Sequence, residues 1–266
     1  METKAVLFDL DGTLLPMDQE RFTKTYFQLL AAKLAPLGYD PAKLVDSIWA
    51  GTAAIVKNDG SCTNEEAFWR VFSQIYGEAS LKDKPYIDTF YAEEFNQAKA
   101  ACGFAPAAAE TVDLLRTAGK TVVLATNPIF PAVATQNRIR WAGLQPESFR
   151  LYTTYENSHY CKPNLKYYEE ILQNIGFQPE ECLMIGNDVT EDMVTAKLGM
   201  RVFLLTDCLI NQSGADLSPY PQGEMCIRDR PSSPKPVTSV QACAPAFTIS
   251  SPVRLLSVVM LAIKAA

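Results

Sequence analysis

Five short stretches rich in apolar residues set the rhythm of this chain: the run Ala5 to Leu7 leading into Phe8-Asp9, then Lys120 to Thr126, Arg150 to Thr154, Cys182 to Gly186 and Arg201 to Thr206. Each has the length of a buried strand and stops at a polar residue or a glycine. Between the later ones, apolar residues recur at helical spacing from Pro106 to Ala118, through Trp141, from Asn164 to Ile175 and from Val189 to Leu198. Gly119, Gly176 and Gly199 follow three of these segments, where a left-handed closing residue is wanted. Strands alternating with helices predict an α/β fold with a doubly wound parallel sheet.

One long stretch breaks the alternation. From Met17 to about Gly103 the apolar spacing is helical throughout, over Arg21 to Leu37, Pro41 to Lys57, Thr63 to Tyr76 and Lys84 to Cys102, with Gly, Pro or Asn-rich breaks between. The predicted organisation is therefore an α/β core built from residues 1–16 and 104–224, interrupted by an all-helical insertion over 17–103. No internal repeat is visible.

The pattern ends near Glu224. Beyond it Pro231, Pro234, Pro236, Pro245 and Pro252 interrupt every candidate element, glycine is absent and Phe247 is the single aromatic residue. No periodic core face survives such spacing, so residues 225–266 are expected to be an artefactual or disordered tail that packs against nothing. Met225-Cys226-Ile227-Arg228-Asp229-Arg230 is also what ATG TGT ATA AGA GAC AG encodes, which looks like a transposon end used in preparing sequencing libraries. On that reading the natural frame runs to about Glu224.

Composition sharpens this picture. With 266 residues and 48% hydrophobic content the chain can bury a full core. The formal charge is −6, but nineteen basic against twenty-nine acidic residues precede Met225, giving −10 for that part. So acidic a chain, without a basic patch, is not expected to bind nucleic acid or an anionic membrane. Its seven cysteines form no Cys-x-x-Cys pair, and Met1 to Lys4 lead straight into the first strand without a charged-then-apolar leader. A reducing cytoplasm is the expected location. Leu255 to Ala266, the longest late apolar run, is too short to span a membrane.

The chemistry concentrates at strand ends. Phe8-Asp9-Leu10-Asp11-Gly12-Thr13 places two carboxylates one residue apart just beyond the first strand, where open α/β sheets bind ligands. Carboxylates so close repel unless a cation or a proton intervenes, and magnesium is the simplest resolution. Alone, Asp-x-Asp-Gly is more often a plain turn than a catalytic site. Three further signals accompany it: Thr126-Asn127 at the second strand end, Lys162-Pro163 at the start of a helix, and Gly186-Asn187-Asp188-Val189-Thr190-Glu191-Asp192 at a fourth strand end.

These four signals, in this order and spacing, resemble the haloacid dehalogenase-like superfamily over Lys4 to about Asn211, in a branch with a helical cap inserted after the first strand, which implies a Rossmann-like core. The resemblance implies that Asp9 is a nucleophile forming an aspartyl-phosphate and that Asp11 is the general acid and base, its backbone carbonyl also meeting magnesium. It implies that Thr126, the amide of Asn127 and Lys162 hold phosphate. Dehalogenating relatives do not keep an acid at the position of Asp11, which favours phosphoryl transfer. The metal ligand after Gly186 is open. Asp188 is favoured by charge with Asn187 as ligand or orienter, yet Asp188 and Glu191 equally suit a helix N-cap. Asp192 is expected beside Lys162 or a metal-bound water.

The expected activity is therefore a magnesium-dependent phosphatase for a small phosphorylated metabolite. A sugar phosphomutase or a non-catalytic phosphometabolite-binding protein is the alternative. Substrate and oligomeric state are not legible, and Lys57-Asn58-Asp59-Gly60-Ser61 is the candidate substrate-facing loop of the insertion. His159, the single histidine, reads as a loop residue, Cys161 as an ordinary thiol, and Trp49, Trp69 and Trp141 as core.

Overall fold

The computed structural model describes residues 2–225. Ala5, Val6, Leu7 and Phe8 form β1 (Ala5–Phe8), and all four are inaccessible to solvent. Such a strand must be covered on both faces, and it is the fourth of the six strands when the sheet is read from its β6 edge, in the order β3-β2-β1-β4-β5-β6. The others are β2 (Thr121–Leu124), β3 (Leu151–Tyr152), β4 (Cys182–Gly186), β5 (Arg201–Leu205) and β6 (Gln222–Gly223), every neighbouring pair parallel.

After β1 the chain builds outward through β2 and β3, then crosses back to lay β4 on the other side of β1. The sheet is thus an α/β, doubly wound Rossmann-like one. Its order reverses between β1 and β4, so their carboxyl ends open a crevice there. Strand alternation divides the core. Val6, Phe8, Leu124 and Ile185 face the larger cluster, whereas Ala5, Leu7, Val123 and Met184 pack with Tyr167, Tyr168 and Ile171 of α7 (Leu165–Ile175).

Between β1 and β2 lie α1 (Gln19–Leu34), α2 (Pro41–Val56), α3 (Asn64–Tyr76) and α4 (Lys84–Ala92), so this stretch is helical. The expected helix from Lys84 to Cys102 stops at Ala92 and resumes as a 3-10 segment, Glu94–Ala101. At the break Asn96 Nδ2 donates to the carbonyls of Ala92 and Glu93, replacing helical partners. The strand expected over 150–154 is only two residues long, because the Thr153 hydroxyl turns into the carbonyl of Thr126 at 2.6 Å. The expected helix after Val189 is reduced to the 3-10 segment Met193–Leu198, and β6, polar and two residues long, carried no apolar signal.

The remaining helices, α5 (Pro106–Thr117) and α6 (Ala132–Trp141), flank β2 in sequence. Trp69 and Trp141 are core, but Trp49 is 52% exposed, because on α2 the buried stripe is Leu44, Ser47, Gly51 and Ile55. Met225 does not hang free: it is buried, and its N–H donates to Asp207 Oδ2 at 2.6 Å. The remainder of the expected tail lies outside the described residues.

A buried asparagine joins the insertion to the core. Asn64, at the start of α3, is inaccessible; its Nδ2 donates to the carbonyls of Tyr160 (3.0 Å) and Pro128 (3.3 Å), and its Oδ1 accepts from Asn58 at 2.9 Å. Its own N–H reaches the Ser158 carbonyl. Removing this amide strands two loop carbonyls. Asn64→Ala is expected to cost about 1–3 kcal/mol in denaturant unfolding, whereas the exposed Asn96→Ala should cost less.

Candidate active site

The carboxyl ends of β1 and β4 carry the charged groups. Asp9 follows β1 directly, and its N–H donates to the Ile185 carbonyl of β4, which fixes where its side chain leaves the sheet. Lys162, 2% exposed, donates from Nζ to Asp9 Oδ1 at 2.7 Å and to Asp192 Oδ1 at 2.6 Å. Burial alone would discharge the lysine, but the two carboxylates hold its pKa well above the usual value and keep it an ammonium. Asp192 uses its other oxygen to accept the Asp188 N–H. A Cβ on Gly186 would lie 2.0 Å from Asp192 Oδ2, so this approach needs the glycine.

Asp11 is placed differently. Its Oδ2 accepts from Arg138 of α6, while Oδ1 is enclosed without a partner. Desolvation pushes its pKa up, and repulsion from Asp9 adds to this against the opposing pull of Arg138 and Lys162. Arg138 is 1% exposed and lies 4.6 Å from the centre of the Phe130 ring. The sequence reading missed it. A signal existed, since Ala134, Thr135, Arg138, Ile139 and Trp141 form the buried face of α6, and an arginine at a core position needs a buried acid.

The other candidates surround the same cavity, of about 550 Å³, whose lining includes Asp9, Asp11, Thr126, Asn127, Asn187 and Asp188. Asn127 Nδ2 donates to both oxygens of Glu191, at 3.1 and 3.2 Å. The helix expected right after Pro128 begins only at Ala132, whose N–H is taken by Glu156, so no helix start lies at Thr126. Likewise α7 begins at Leu165, beyond Lys162-Pro163, with Asn164 as its cap.

Asn187 is bonded at both ends of its amide. Its Oδ1 accepts from the Thr13 hydroxyl at 2.9 Å and its Nδ2 donates to the Cys208 carbonyl at 2.7 Å. Asp188 Oδ1 accepts the N–H groups of Thr190 (2.7 Å) and Glu191 (2.9 Å). That is a capping contact, and Oδ2 is left over. Among the described residues no three His, Cys, Asp or Glu side chains gather closely enough to cage a metal. The Lys57 to Ser61 loop does not line the cavity: Asn58 is spent on Cys62 and Asn64. His159 bonds to Glu170 at 2.6 Å, away from the cavity lining.

The family description of the haloacid dehalogenase-like hydrolases matches residues 3–199, and the chain belongs to that family. It is accordingly a hydrolase with an α/β core of the Rossmann type. Among solved structures, a 2-haloacid dehalogenase from Pseudomonas syringae is 20% identical, covering 76% of this chain and 86% of its own, with a TM-score of 0.51. A phosphatase of the same family from Thermococcus onnurineus is 21% identical over 80% of this chain and 89% of its own, TM-score 0.47. A predicted phosphoglycolate phosphatase from Haemophilus somnus is 17% identical over 84% and 95%, TM-score 0.48. No curated protein matches the chain. No helix among the described residues is long and apolar enough to cross a membrane.

Two outcomes follow from the electrostatics. Lys162→Met leaves Asp9 and Asp192 buried without a counter-charge and should cost about 3–5 kcal/mol of stability, with Asp192→Asn in the same chain restoring part of it; equal loss in single and double variants would contradict the pairing. Burial, with Glu191 adding to it, pushes the Cys161 thiol up to about 11. Below that pH it stays a thiol in the folded protein, so at pH 8 iodoacetamide should label Cys161 slowly until denaturant is added, as peptide mass mapping would show.

Proposed function

We propose that this protein is a magnesium-dependent phosphatase for a small phosphorylated metabolite, acting through an aspartyl-phosphate. The observation that carries the reading is the pair Asp9 and Asp11 in the lining of one cavity, with the buried Lys162 ammonium held 2.7 Å from Asp9 behind it. Lys162 spends its charge on Asp9 Oδ1, and Oδ2 has no protein partner. In the first step an Asp9 oxygen attacks phosphorus in line as the bond to the alcohol oxygen breaks. Asp11 gives its proton to the departing alkoxide. In the second, water attacks the phosphorus of the aspartyl-phosphate, Asp11 takes the water's proton, and Asp9 is released with inorganic phosphate.

Asp11 supports this reading over removal of a halide. A halide leaves without a proton, whereas an alkoxide needs one, and the upward shift that burial imposes on Asp11 suits a proton donor. Asp11 Oδ1, which has no protein partner, is the oxygen for that proton, while Oδ2 keeps its contact with Arg138.

Oxygens of the kind magnesium takes are left over in the cavity lining. Asp9 Oδ2 and Asp188 Oδ2 have no protein partner, and the Asp11 carbonyl accepts only a long 3.4 Å contact from Gln19. Magnesium takes few protein carboxylates and completes its shell with water and substrate phosphate, so two carboxylates and a carbonyl suffice. Bound there, the ion would neutralise phosphate charge and help align it with Asp9. Asn187, spent on Thr13 and Cys208, would position the Asp188 loop. Thr126 and the Asn127 amide would donate to phosphate, and the helical insertion would act as the cap.

Separate variants test the two aspartates. Asp9→Asn should abolish trapping of a phosphoenzyme and release of phosphate while substrate still binds. Asp11→Asn should slow turnover by about 10²- to 10⁴-fold on alkyl phosphates and by less on aryl phosphates, whose leaving groups need little protonation. Phosphate release by Asp9→Asn at near wild-type rate would overturn the assignment. Transfer of phosphate back to the substrate alcohol, with none released, would identify a mutase.

A further inference from the structure

The cavity is sharply divided. Its charged lining residues, Asp9, Asp11, Arg138, Asp188, Glu191 and Asp192, all come from the α/β core. The helical insertion contributes no Lys, Arg, His, Asp or Glu to the lining; it supplies rings and aliphatic groups such as Phe22, Tyr26, Phe27, Trp49, Phe68 and Tyr91. Most of the few hydroxyls there are engaged: Tyr26 and Tyr91 share a 2.9 Å hydrogen bond, and Thr52 donates to the Ile48 carbonyl. The Thr23 hydroxyl and the Gln19 amide are the polar groups the insertion leaves over, and Tyr155, on the core side, accepts a weak 3.5 Å contact from Trp69. Arg138, the basic residue in the lining, is committed to Asp11.

With one threonine and one glutamine to offer, this wall disfavours a polyhydroxylated or doubly anionic substrate. Most sugar hydroxyls entering it would lose water without gaining partners, and a second phosphate or carboxylate would find no free cation. A ring-bearing apolar group gains burial against aromatic faces and edges instead. At about 550 Å³ the cavity falls within the roughly 300–1,000 Å³ of sites that enclose a drug-sized molecule. We propose that the cavity holds the ring-bearing, uncharged alcohol portion of a phosphomonoester, and that Phe27 and Trp49 discriminate for it. The rings of Phe27 and Trp49 lie 5.5 Å apart, and Trp49 is half exposed while still lining the cavity, which puts the pair at its mouth. The proposal deepens the phosphatase reading and rests on it for the phosphate end alone.

The test compares esters whose leaving oxygens are all alkyl, so that intrinsic reactivity does not decide the result: 2-(1-naphthyl)ethyl phosphate, ethyl phosphate, glucose 6-phosphate and 3-phosphoglycerate. The naphthyl ester should lead the others in kcat/KM by about ten- to a hundredfold, the worth of burying one aromatic group. Trp49→Ala should shrink its lead over ethyl phosphate several-fold, and Trp49→Phe should keep most of it. Thr52→Arg, which puts a cation into the wall, should shift preference toward 3-phosphoglycerate. In parallel, 2-(1-naphthyl)ethanol, which carries no phosphate, should perturb tryptophan fluorescence saturably in the wild type. Equal or better turnover of glucose 6-phosphate or 3-phosphoglycerate overturns the proposal, as does absence of saturable binding of the alcohol. If the alcohol binds and no ester is hydrolysed, the proposal stands and the phosphatase reading falls.

Discussion

A lysine without water is the constraint from which the rest of this structure is best understood. Lys162 sits on the loop before α7, Asp9 at the end of β1 and Asp192 in the loop after β4, so three distant segments must meet for one ammonium to be stable. Such a buried triad adds little net stability, because desolvation of three charges consumes most of the attraction. What it contributes is position. The neighbouring tyrosines of α7 extend the same effect: Tyr167 donates to the Thr126 carbonyl at 2.8 Å and Tyr168 to the Glu191 carbonyl at 2.6 Å. The loops beyond β2 and β4 are thereby fastened to the helix that follows Lys162.

Above this charged floor the insertion follows other physics. Its rings pack on one another, Tyr26 lying within 6.4 Å of Phe90, Tyr91 and Phe95 and edge-on to Phe130 of the core. Polar contacts are few and directional. Asn64 fastens α3 to the loops at Pro128 and Tyr160, Asn137 of α6 donates to the Tyr91 carbonyl, and Trp141 donates to Asn96. An apolar ceiling over an ionic floor lowers the dielectric around any group between them, and that strengthens each charge interaction there.

Much of this was legible in the sequence because its signals are local. A fully apolar run of strand length, an acidic turn behind it and glycines behind the helices depend on neighbours within a few residues, and they located the parallel sheet and the helical insertion. The residues picked from strand ends do line one cavity, apart from Lys162, which reaches it through Asp9. Signals that depend on tertiary partners stayed hidden. Arg138 is ordinary in sequence and becomes special only because Asp11 faces it from 127 positions away. Trp49 looked like core since hydrophobicity says nothing about which side of α2 meets another element. The helix after Val189 shrank because Asp192 is drawn toward Lys162 and Asp188, and β6 pairs with β5 through backbone alone.

The strand order has a consequence in time. β1 leaves the ribosome before every other strand of its sheet, yet it belongs in the interior, where Ala5 pairs with Thr121 on one side and Cys182 on the other. A wholly apolar strand must therefore remain unpaired while more than a hundred residues are synthesised, and its second neighbour arrives later still. During that interval the helices between β1 and β2 are its available cover, since they form from local contacts and need no distant partner. An insertion at this point in the chain thus lengthens the wait of the first strand and, by the same act, supplies a shelter for it.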